Sequence, residues 1–105
     1  MAGPLTDALI GPRRVELIED VEYVTQTYRV TTGAAQDDEY IVTGYSDIVA
    51  VVGCVQIDAA ASETQVPFFV KNARGTSIAA DTNAGDLGIE QLLASTYEVT
   101  VFCQV

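Results

Sequence analysis

The sequence predicts an all-β protein, an antiparallel β-sandwich or jelly-roll-like barrel of about seven or eight short strands. Three observations predict it. Runs rich in Val, Thr and Tyr alternate with a period of two, which suits a pleated surface. Turn-forming clusters recur roughly every 8 to 12 residues, the spacing of a sandwich or barrel. The chain has 105 residues, 49% hydrophobic and 19% charged, enough for one core and too apolar for disorder.

The elements follow in order. Residues 1–12, "MAGPLTDALIGP", hold a small apolar patch bounded by Gly11-Pro12 and read as an extended N-terminal arm, or one helical turn. The single β domain then spans 13–105. In "RVELIEDVEYVTQTYRVTT", Val24, Tyr28 and Val30 share a face that Glu22 and Gln26 interrupt, and "EDVE" holds a bend or bulge between two strands. Gly33 to Glu39 is a loop. A short strand from Tyr40 to Thr43 and a turn at Gly44 to Asp47 lead into "IVAVVGCVQI". Strict alternation there puts Ile48, Ala50, Val52 and Cys54 on one face and Val49, Val51, Val55 and Ile57 on the other. Gly53 marks a bulge or a close backbone approach.

Further on, "DAAASETQ" is a polar loop. "VPFFVKN" is a strand with Pro67 near its start, and "NARG" (Asn72 to Gly75) is a hairpin turn before the return strand "TSIAA". "DTNAGD" is a turn-rich loop. "LGIEQLLAS" admits a short strand or one to two helical turns, since Ile89, Leu92 and Leu93 have helical spacing. "TYEVTVFCQV" alternates cleanly, with Tyr97, Val99, Val101, Cys103 and Val105 on one face.

Composition excludes several functions. Fifteen acids against five bases give a net charge of −10, and the only clustered bases are Arg13 and Arg14, so no nucleic-acid partner is expected. No apolar run reaches the ~20 residues of a membrane helix, and no signal peptide is visible, so synthesis in the cytoplasm without export is expected. There is no histidine, which removes the commonest general base and metal ligand. Cys54 and Cys103 sit among valines, where thiols act as small hydrophobes, so no catalytic residue is expected. The acids Asp37, Asp38 and Glu39 read as a solvated loop. Asp81, Asn83 and Asp86 offer three oxygen-bearing side chains but depart from the EF-hand pattern, so neither metal nor cofactor is expected. Tyr23, Tyr28, Tyr40, Tyr45 and Tyr97 suit either a core or a sugar-stacking surface.

The doubly apolar strand 48–57 needs a cover on both sides, because exposed medium-sized apolar side chains forfeit about 1.5 to 3 kcal/mol each. A second chain or the protein's own arm supplies it. Val49, Val51, Val55 and Ile57 are therefore the expected oligomer interface.

The order "TGYSDIVAVVG … NARGTSIAADTNAGD … YEVTVFCQV" resembles small virion proteins of tailed bacteriophages, over about residues 38 to 105. The resemblance implies a capsid decoration or cement protein, a β-sandwich that is often trimeric and seats on the assembled head. It also implies a partner, the major capsid protein or another virion protein, and a virion location. The arm's Leu5, Leu9 and Ile10 would bury on a neighbour, with Arg13 and Arg14 pairing acids there. A carbohydrate- or receptor-binding module of a phage tail or fibre is the alternative.

Overall fold

Two antiparallel sheets of unequal width pack face to face. The computed structural model describes residues 7–33, 39–57, 67–73, 84–90 and 94–105, with side chains from residue 13 onward. Its strands are β1 (Asp7–Ile18), β2 (Val21–Thr31), β3 (Glu39–Val42), β4 (Asp47–Gln56), β5 (Phe68–Lys71), β6 (Asp86–Glu90) and β7 (Thr96–Gln104). The wide sheet has the order β1-β2-β7-β4 and the narrow one β3-β6-β5. Both sheets are open, so the architecture is a sandwich and not a closed barrel. Residues 86–90 are strand, which resolves the helix alternative for that part of "LGIEQLLAS". The expected loop at 58–65, return strand at 76–80 and first half of "DTNAGD" lie outside the described residues.

Alternation builds the core. In β7, Tyr97, Val99, Val101 and Cys103 are fully buried, while Thr96, Glu98, Thr100, Phe102 and Gln104 face the other way. In β2, Val24, Gln26, Tyr28 and Val30 are buried on the same inner face. Tyr28 and Val30 share one core cluster with Ile41 of β3 and Leu87 and Ile89 of β6 from the narrow sheet. Gln26 interrupts the apolar pattern at little cost, because its Oε1 accepts a hydrogen bond from the Tyr45 hydroxyl at 2.8 Å.

The turn between β1 and β2 is a two-residue hairpin. Glu19 and Asp20 have φ of 50° and 66°, the left-handed pair that a type I′ turn requires. Strand pairing begins at Asp7, opposite Val30, so the expected boundary between arm and domain at Pro12 falls inside β1. The ladder slips between Ile10 and Arg14: Gly11, Pro12 and Arg13 stand against Gln26 alone. Gly-Pro thus marks a bulge in an edge strand, a position where a missing proline N–H is tolerated.

One side chain ties the layers together. Asn72, at φ 55°, follows β5 and is buried. Its Oδ1 accepts from Ile48 N at 2.9 Å and from Gly85 N at 3.3 Å, and its Nδ2 donates to Asp47 Oδ1. Ile48 belongs to the wide sheet and Gly85 to the turn entering the narrow one. Gly85 has φ of 80°, and a Cβ there would lie 2.1 Å from the Tyr45 carbonyl oxygen, so only glycine fits.

Candidate interaction surface

β4 answers the puzzle of the doubly apolar strand. Two bulges, between Ile48 and Ala50 and between Val51 and Gly53, break its ladder with β7. Each bulge adds a residue and resets which side chain points inward. The inward residues are therefore Ile48, Val51 and Cys54, three apart, opposite Cys103, Val101 and Val99. This corrects the expected faces. Val49, Val51, Val55 and Ile57 do not share one side: Val51 packs against the core, while Val55 lies opposite Glu98 on the outer face and is 59% exposed. Val52, expected with Ile48, is exposed instead, and Ile57 is exposed just past the strand. Ile48, Val51 and Cys54 thus feed the core, Val49 and Ala50 are half-buried, and Val52, Val55 and Ile57 stay exposed.

The outer face of the wide sheet also carries cross-strand pairs of side chains, polar and aromatic. The Thr27 and Thr100 hydroxyls lie 2.8 Å apart, and those of Thr31 and Thr96 3.0 Å apart. Arg29 donates to Glu98 Oε2 at 2.6 Å through Nη2 and at 3.2 Å through Nε. Tyr23 and Phe102 stack with centroids 5.0 Å apart and planes 12° from parallel. These are directly opposed or diagonal neighbours across β2 and β7, the unit by which a sheet face is stabilised.

The opposite edge of the wide sheet is β1. Opposed residues in an antiparallel ladder share a face, so Val15, opposite buried Val24, and Leu17, opposite Glu22, point to the side of the narrow sheet. They are nevertheless 43% and 73% exposed, because none of the described strands of the narrow sheet extends over β1. Ile18 and Phe68 are further exposed apolar residues. Of the residues expected to bind a partner, Leu5 lies outside the described residues, and Leu9 and Ile10 stand in β1 opposite Tyr28 and Thr27. Arg13 and Arg14 are exposed. Arg13 Nη1 donates to the Tyr45 hydroxyl at 3.5 Å, and Arg14 Nε lies 3.7 Å from Glu16 Oε1.

The thiols and carboxylates are engaged structurally. Cys54 and Cys103 are free and stand on the core side of β4 and β7. Burial pushes the Cys103 thiol up to about 11 and raises that of Cys54, the opposite of the activation a nucleophile needs. Glu39, expected in a solvated loop, is buried in β3 and accepts from Gly33 N at 2.8 and 3.0 Å, closing the ends of the loop between β2 and β3. Asp37, Asp38, Asp81 and Asn83 lie outside the described residues. Among the described residues no group of three or more Asp, Glu or Cys side chains is placed to hold a metal ion, and no helix is long and apolar enough to cross a membrane.

No protein-family model, curated protein or solved structure matches the chain.

Proposed function

We propose that the chain is a non-enzymatic virion structural protein that decorates or cements an assembled phage capsid by bridging neighbouring subunits. The observation that supports it most is the distribution of exposed apolar side chains along the sandwich's strands: Val15, Leu17 and Ile18 on β1, Val52 and Val55 on β4, and Phe68 on β5. Such residues gain about 1.5 to 3 kcal/mol each when another surface covers them fully. In this reading residues 1–6 with Leu5 reach the neighbouring subunit, and Leu9, Ile10, Arg13 and Arg14 meet it from the edge strand β1. A subunit that binds only the assembled lattice stabilises it by mass action, and repetition over a shell multiplies a modest contact.

Co-sedimentation with heads of the virus that encodes the chain, against unassembled coat protein, tests the proposal. Binding to heads alone, lost on deleting residues 1–6, is the expected result. Equal binding to free coat protein, or none to either, rejects it. The second reading, a sugar- or receptor-binding module, draws support from the stacked Tyr23–Phe102 pair on the outer face. A glycan array with a Phe102→Ala comparison separates the two.

A further inference from the structure

We propose that β1 is a self-pairing edge. Two copies join β1 to β1, antiparallel, about a two-fold axis at Val15, and so extend two four-stranded sheets into one continuous sheet. The inference concerns a contact between copies and does not depend on the capsid reading.

The edge is available. Among the described residues no strand lies beyond β1 in the wide sheet, so its outer row of N–H and C=O groups is unpaired by the sandwich. Residues 13–20 are exposed or half-exposed throughout. Val15 and Leu17 present apolar surface on one side and Ile18 on the other.

The occupant is identified by the charge order. Arg14-Val15-Glu16 reads positive, apolar, negative. An antiparallel copy reads the reverse, so a two-fold axis at Val15 sets Arg14 of each chain against Glu16 of the other, with Val15 against Val15. Arg14 and Glu16 both lie on the outer face, opposite Thr25 and Tyr23, so the new pairs form on one side of the sheet. On the inner side Leu17 meets the Arg13 stem, which already reaches inward to Tyr45. Moving the axis one residue either way puts Arg14 against Arg14 or Glu16 against Glu16, so the charges disfavour the two adjacent registers. The rest of a chain carrying −10 repels its own kind, so the contact needs this local complementarity.

The geometry also limits growth. The bulge at Gly11 to Arg13, with Pro12, interrupts the ladder at the margin of the contact. The far edge of the wide sheet, β4, is interrupted by two bulges, which blunt pairing there. A two-fold contact is closed, so the product is a dimer and not a filament.

Sedimentation velocity on the full chain tests this. The unaltered protein is expected to dimerise. Arg14→Glu sets like charges together on both sides of the axis and weakens the dimer by about tenfold or more. The double variant Arg14→Glu/Glu16→Arg restores it, because the reversed order is again self-complementary. Added salt narrows the gap between the variants. Far-UV circular dichroism checks that each variant is folded, as expected for exposed positions. A monomeric unaltered protein overturns the proposal. So does an oligomer indifferent to Arg14→Glu, or a double variant as dissociated as the single one.

Discussion

Asn72 satisfies two buried backbone N–H groups, those of Ile48 and Gly85, with one amide oxygen. An Asn72→Ala variant leaves both without that acceptor and puts a β-carbon residue at φ 55° without the amide that suits it there. Orphaned buried donors cost about 1 to 3 kcal/mol each, so the variant is expected to lose about 3 kcal/mol in urea unfolding, with an unchanged m-value. Cys103 carries a different signature. Its thiol ionises near 9 when exposed and near 11 in the fold, so between those values the unfolded chain releases a proton that the folded chain keeps. The unfolded state then binds fewer protons, and stability falls as pH rises through that window, by up to about 1.4 kcal/mol per pH unit. The loss levels off above pH 11. In Cys103→Ala this portion of the alkaline decline disappears, read as the difference between the two proteins' unfolding curves from pH 8 upward. Neither residue announces its role in the sequence. "NARG" signals a turn, but the layer-bridging acceptor depends on Ile48 and Gly85 arriving from elsewhere in the chain.

The hairpin joining β1 to β2 places Glu19 and Asp20, two residues with β-carbons, in the left-handed region. Asn-Gly is the pair this turn favours. Glu19→Asn with Asp20→Gly is expected to raise stability by about 1 kcal/mol, seen as a higher urea midpoint with no change in oligomeric state. At this scale the sequence is informative where a strand is regular. β7 is legible from its alternation because every inward position is apolar and the ladder with β2 runs without a slip. β6 is ambiguous because Ile89 fits both periods until Glu39 and Phe69 pair with it from either side. β4 misleads because alternation assumes a fixed register. Gly53 hints at one bulge, but nothing local marks the other, and each changes which valines face the core.

The whole molecule explains the rest. That the described residues form one sheet of four strands and one of three is a fact about long-range pairing, invisible to local period. It is also what uncovers Val15 and Leu17, residues that a reading of strand faces alone would bury. The sequence points to an apolar surface in need of a partner, but places it on 48–57, where the bulges turn Val51 inward; the larger exposure is on β1. The ladder has a mechanical consequence. β1 enters the sheet at Asp7 and β7 leaves it at Val105, whose N–H donates to Glu22 O at the opposite end. A pull between those two residues runs along the strands, across the β1–β2 and β2–β7 ladders together. Antiparallel hydrogen bonds lie perpendicular to that direction, so they are sheared as a set and not unzipped one by one. The chain is strung to resist tension along its strands.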